Sequence, residues 1–328
     1  MRFYRYKYKL KINTMVRFWG KGIYMCATLW IVGNGFDIAH GLNTTYNDFK
    51  EFLEEYNSNL KNILEEGCYD SNLLWSRFED QLGYLDYDYL LDVYRAEVDI
   101  GLDSPGLCAH NMIQTIADIR YALEALPDAL NEWISTIDVT DIGQLTLIND
   151  YMTESENYFI SFNYTNTLEC VYNVDYTQIY YIHGSQYHED SLVLGHAGPV
   201  SPSNYEEVNG ELIYSPSEQA AIDFSMDELI ELDNAKDCIR EMLRKDSHES
   251  LHNLNQFLDR HGSQINRIVS FGFSYGDADM IYIKSIINYF NNTPNFEWLL
   301  HDRNSSGQEK TISKLISNGF SGRVNLFC

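Results

Sequence analysis

Apolar positions along this chain follow two different spacings, and the two alternate from one end to the other. Leu29-Trp30-Ile31-Val32 is an unbroken apolar run that stops at Gly33, the pattern of a strand buried on both faces of a parallel sheet. Helical spacing follows. Thr45 with Asp48 three residues later reads as a capping box, Asp replacing the usual Glu. A stripe then runs through Tyr46, Phe49, Leu53, Tyr56, Leu60 and Ile63, and a second through Trp75, Phe78, Leu82, Leu85 and Tyr89. A third, Met112 to Leu126, meets Pro127, where a kink or break is expected, and resumes at Leu130, Trp133 and Ile137.

Strand character returns at Tyr158–Phe162, Ile179–Ile182 and Leu192–Leu194, and Asn209-Gly210 reads as a hairpin turn. Residues 217–260 look helical and highly charged. The remainder alternates: strand Arg267–Phe273, helix Asp277–Phe290, strand Phe296–Leu300, helix Ser305–Ser317, strand Arg323–Phe327. Strands alternating with helices predict an α/β fold with a Rossmann-like parallel sheet. Its core is expected in residues 25–45, 156–200 and 262–328. Residues 46–155 would form a large helical insertion, and 201–261 a smaller one.

Charge changes this picture in one respect. Forty-eight acidic residues face 23 basic ones, and seven of the basic residues lie in residues 1–24, which hold no acid. The rest of the chain therefore carries 16 basic against 48 acidic side chains, a net of −32. Such a field repels nucleic acid and anionic lipid, so neither is expected as a partner. The basic leader lacks the apolar stretch of a signal peptide and is expected to lie outside the fold, with Met25 as the true start. Six scattered cysteines without a C-x-x-C pair suit structural thiols of a reducing cytoplasm and predict no metal site.

Four short segments carry candidate chemistry, each at an expected strand end, where open α/β sheets bind ligands. Gly33-Asn34-Gly35-Phe36-Asp37 would let backbone amides approach a pyrophosphate, or would simply turn the chain into a helix; a third glycine is lacking, since position 38 is Ile38. Asn163 could hold a ribose hydroxyl or a water, or cap the next helix. His183, before Gly184, could exchange a proton at physiological pH or be a satisfied structural residue. In Ser270–Asp279, small residues suggest close approach by a ligand; Asp277 and Asp279 could be catalytic or could complement a helix N-terminus. His40 and His196 keep both a ligand-facing and a structural reading.

Taken in order, these segments resemble the AbiH family of bacterial phage abortive-infection proteins. The likeness begins with Leu29-Trp30-Ile31-Val32-Gly33-Asn34-Gly35-Phe36-Asp37-Ile38-Ala39-His40-Gly41-Leu42 and Thr44/Thr45. It continues through Leu74–Glu79, Trp133-Ile134, Phe162-Asn163-Tyr164-Thr165 with Leu168-Glu169, Ile182-His183-Gly184, Leu194-Gly195-His196 and Phe271–Asp279. A more distant likeness is to sirtuin-type NAD-binding domains. It implies that Gly33 and Gly35 cradle phosphate, with Asn34, Asp37 and Asp279 among the cofactor-binding residues. It further implies that Asn163 holds the nicotinamide ribose or a water, His183 acts as base, and Gly272 and Ser274 line the far wall. Two departures stand out: Thr165 occupies the position of the usual sirtuin aspartate, and no cysteine pair exists for a zinc module. The reaction implied is cleavage of NAD at the nicotinamide–ribose bond in phage defence. The alternative is a nucleotide-binding sensor without turnover, its partner a second copy of the chain or a phage-derived trigger.

Overall fold

The computed structural model describes residues 27–95, 105–185, 187, 192–198, 205–208, 211–214, 225–291, 293, 296–301 and 305–326. The basic leader and the Asn209-Gly210 turn lie outside them. Strands β1 (Ala27–Val32), β2 (Glu156–Ser161) and β3 (Ile179–Tyr181) form one side of a six-stranded sheet. A separate antiparallel hairpin follows, β4 (Tyr205–Val208) with β5 (Glu211–Tyr214). Strands β6 (Ile265–Phe271), β7 (Glu297–His301) and β8 (Arg323–Leu326) complete the large sheet in the order β3-β2-β1-β6-β7-β8, every pair parallel. Counted without the hairpin, this is the Rossmann order 3-2-1-4-5-6, and the chain reverses direction across the sheet between β1 and β6.

Register sets the geometry of everything above the sheet. Tyr181, Ser161, Val32, Phe271 and His301 lie in one row across five strands. The ladder runs one residue further, with Phe162 N–H donating to Val32 O, Ile182 N–H to Ser161 O and Gly33 N–H to Phe271 O. The residues that follow therefore leave the sheet side by side at its carboxyl edge.

Alternation along β1 explains the two layers. Leu29 and Ile31 face a core shared with helices His248–His261 and Met280–Phe290; Trp30 and Val32 face one shared with helices Thr146–Met152 and Thr167–Tyr172. Helix His248–His261 thus covers the sheet, although its sequence groups it with the second insertion. A third core belongs to the helices between β1 and β2, and it also takes Leu232, Ile239 and Leu243 from helix Met226–Met242 and its C-terminal end.

Some stripes are broken more often than their spacing suggests. The first stops at Asn57, whose side chain accepts from Leu60 N–H and starts a new helix, Ser58–Glu66. The second divides into Ser71–Ser76, Phe78–Leu82 and Tyr87–Arg95, interrupted at Arg77 and Gly83. The break near Pro127 occurs as expected, between Pro105–Glu124 and Leu126–Ser135. Leu192–Leu194 forms no strand; Val193 N–H makes a bond to His183 O instead.

The capping box is present: Thr45 Oγ1 accepts from Asp48 N–H, and the Asp48 carboxylate accepts from Thr45 N–H at 2.7 Å. Thr45→Ala should therefore cost about 1 kcal/mol of unfolding free energy in urea titrations. An unchanged midpoint and slope would show that the box is dispensable.

Candidate functional site

Above the carboxyl edge, between the sheet and the helical segment that follows β1, lies a cavity of about 340 Å³. This is the size of a small-molecule site. The nine residues to which the family likenesses assign a catalytic or cofactor-binding part line it: Gly33, Asn34, Gly35, Asp37, Asn163, His183, Gly272, Ser274 and Asp279. The register row accounts for the convergence, because each leaves a strand within a few residues of that row. Thr44, Tyr46, Glu79, Trp133 and Tyr164 close the opposite side.

The first glycines turn the chain from β1 into helix Asn34–Ala39, one of the two parts expected of them. Gly35 N–H donates to Gly272 O at 2.8 Å, and Gly33 N–H to Phe271 O at 3.2 Å, so both amides are committed inside the protein. A Cβ on Gly35 would sit 2.7 Å from Gly272 Cα, and one on Gly272 would sit 2.2 Å from Phe36 N. Gly272 also has φ +67°, a left-handed conformation that side chains resist. The glycines thus let the turns after β1 and β6 pack backbone to backbone. Asn34 donates its side-chain amide to Thr44 O at 2.7 Å, which ties the turn to the helical side of the cavity.

Asp37 is buried at the floor. Thr165 and Thr167 hydroxyls donate to its two oxygens at 2.6 and 2.9 Å. Burial pushes its carboxyl up to about 6, against the lowering effect of Thr165, Thr167 and the Asn163 side chain. Asn163 keeps its Oδ1 buried and without a partner, as do Thr44 Oγ1 and His183 Nδ1. Buried polar atoms are nearly always paired, so three unpaired ones in residues lining one cavity mark a place for a polar ligand.

Behind the wall formed by Glu79, His183 and Asp279 sits a buried lysine that sequence reasoning missed. Lys245 Nζ lies 2.6 Å from Glu79 Oε2, 3.0 Å from Asp279 Oδ1 and 3.3 Å from His183 Nε2. His183 Nε2 is itself 3.2 Å from Asp279 Oδ1, and Tyr46 OH donates to Glu79 Oε1 at 2.8 Å. Burial works against the Asp279 charge, but the Lys245 ammonium beside it holds its carboxyl well below the usual range. Burial likewise disfavours the lysine ammonium, and the Glu79 and Asp279 carboxylates outweigh it. Nothing local in the sequence marks Lys245, which sits among other charged residues; Glu79 belongs to a stretch that carried the family likeness without a role.

The other candidates separate cleanly. Asp277 lies outside the cavity and pairs with Lys314 at 2.6 Å. His40 is structural, one ring nitrogen on Phe36 O and the other on Tyr172 OH. His196 packs against Gly83, and its backbone pairs with Leu243 O and Lys245 N–H, so it fixes the loop that carries Lys245. Among the described residues no lysine or arginine lines the cavity, while three carboxylates do. Two of the three, Glu79 and Asp279, are paired with the buried Lys245 ammonium behind them.

No helix among the described residues is long and apolar enough to cross a membrane. Among curated proteins none matches the chain. The family model described as "Bacteriophage abortive infection AbiH" matches residues 29–302, a span that runs from within β1 to the end of β7 and takes in every residue of the cavity. The chain belongs to the AbiH family of bacteriophage abortive-infection proteins.

Proposed function

We propose that this AbiH protein acts in phage defence by binding a nucleotide in the cavity above β1, β2 and β6 and cleaving NAD between nicotinamide and ribose. The observation that carries the reading is the set of unpaired buried atoms, Thr44 Oγ1, Asn163 Oδ1 and His183 Nδ1, in a cavity walled by Asp37, Glu79 and Asp279. The nicotinamide end of NAD is cationic, and positive charge shifts to the ribose as the bond breaks. The electron pair of the C1′–N bond leaves with the nicotinamide nitrogen, water adds to C1′, and one proton is released. Carboxylates fixed before the reaction stabilise such an oxocarbenium-like centre without reorganising. Asn163 supplies an acceptor for a ribose hydroxyl, and Tyr46, Trp133, Phe162 and Phe273 enclose an aromatic ring. The phosphates would lie outside this acidic compartment.

A sensor that binds a nucleotide without turnover is favoured by one observation. Thr165, at the position of the sirtuin aspartate, gives its hydroxyl to Asp37 and so leaves the ribose one contact short.

Incubation of purified protein with NAD should release nicotinamide, and Asn163→Ala or His183→Ala, each removing a hydrogen-bonding group at the reacting ribose, should slow release by about 10²-fold or more. Binding of NAD by calorimetry with no nicotinamide formed would move the protein to the sensor class. Absence of binding to NAD and ADP-ribose alike would sink both readings.

Asp37 gives a second test, through stability. Its folded carboxyl titrates near 6 against an ordinary 3.8, so ionising it opposes folding. That penalty is absent below about pH 4, grows as pH rises, and is full above 6, at roughly 3 kcal/mol for two units. Asp37→Asn removes the charge and should be the more stable protein at pH 7.5 by up to that amount. The advantage should shrink as pH falls through 6 towards 4. Urea unfolding at pH 7.5 and 4.5 decides it; a variant less stable at the higher pH would contradict the assignment.

A further inference from the structure

Counting donors and acceptors around Lys245 determines which nitrogen of His183 carries its proton. A lysine ammonium has three protons and no acceptor. Three acceptors stand within 3.3 Å of Nζ: Glu79 Oε2, Asp279 Oδ1 and His183 Nε2. If Nε2 accepts, all three lysine protons are placed and the imidazole proton resides on Nδ1, at the cost of an Nε2 lone pair 3.2 Å from Asp279 Oδ1, a contact softened by the ammonium that donates to both. In the other tautomer Nε2–H would donate to Asp279 Oδ1 at 3.2 Å. It would then face the ammonium at 3.3 Å, donor against donor, and leave one lysine proton without a partner. The second arrangement leaves two buried groups unsatisfied, the Lys245 proton and the Nδ1 lone pair, whereas the first leaves only Nδ1–H.

Lys245 is held firmly enough to enforce this. It is 5 % exposed, and its backbone is pinned by the His196 bridge, with His196 N–H to Leu243 O at 3.0 Å and Lys245 N–H to His196 O at 2.9 Å. Gly195, beside it, has φ +147°, and a Cβ there would meet Leu243 O at 2.4 Å, so only glycine allows the approach.

We infer that Lys245 is a positioning residue that fixes His183 in the Nδ1–H tautomer, so that His183 meets its ligand as a hydrogen-bond donor. The ligand atom it takes is an acceptor oxygen, a ribose hydroxyl or a carboxamide carbonyl. This replaces the base role expected from sequence and leaves the Asp37 carboxylate as the wall group able to receive the proton of the adding water. The tautomer is independent of what the protein binds; the ligand contact rests on the nucleotide reading above.

The test is long-range 1H–15N correlation on the full chain with 15N-labelled histidine, His183 being assigned by the signals lost in H183Q. At a pH where the ring is neutral, the native protein should show a protonated Nδ1 and a bare Nε2. In K245M the two nitrogen signals should exchange character, because Nε2–H can then donate to Asp279. A native spectrum with the proton on Nε2 overturns the inference, and this arm stands even if K245M does not fold. A folded K245M with the native tautomer also overturns it. Addition of ADP-ribose should shift the Nδ1 proton signal; an unmoved signal at saturation removes the ligand contact alone, whereas failure of ADP-ribose to bind removes the nucleotide reading and leaves the tautomer standing.

Discussion

The turn after β1 and the turn after β6 touch backbone to backbone, and that contact governs how the upper edge of the sheet is built. Gly35 N–H meets Gly272 O, and neither position has room for a Cβ. The two turns belong to the halves of the sheet on either side of the switch in strand order. Close apposition there keeps Val32, Ser161 and Phe271 level and sends the segments after them into one small space. Interiors packed this tightly do not absorb an extra methyl group without displacement, so the cavity inherits its shape from the glycines even though their amides do not face it.

Charge is organised on the same economical plan. The chain as a whole is strongly acidic, and the cavity repeats that bias with three carboxylates in its wall. One buried ammonium offsets two of them and also reaches the imidazole. The third, Asp37, is buried but has no cation among its hydrogen-bond partners; burial raises its affinity for a proton and two threonine hydroxyls only partly oppose that, whereas the ammonium beside Asp279 more than reverses the same effect. Two carboxylates on opposite sides of one small space thus differ in chemistry because of their neighbours alone.

Much of the fold was legible because it is written in short-range patterns. The apolar run before Gly33, the capping box at Thr45 and the helix Ser305–Ser317 all follow from neighbours within a few residues. The gathering of Gly33, Asn163, His183 and Gly272 was legible too, since each follows a strand and parallel strands end on one side. What could not be read depends on contacts through space. Whether a glycine amide faces a ligand or a carbonyl depends on a loop more than 200 residues away. The same holds for Lys245, whose partners Glu79, His183 and Asp279 come from three other segments. The broken stripes around Asn57 and Arg77 show a milder form of the limit: periodicity locates an apolar face, while a side-chain cap or a bend decides where one helix becomes two.

The order in which the charged cluster is supplied has a bearing on synthesis. Glu79, His183, Lys245 and Asp279 enter in that sequence as the chain is made, and the ammonium has its full set of acceptors only when the last has been translated. A nascent or truncated chain ending before the β6 loop lacks both Asp279 and the Gly272 turn that shapes the cavity. The finished pocket is thereby withheld until the segment carrying Asp279 has been made.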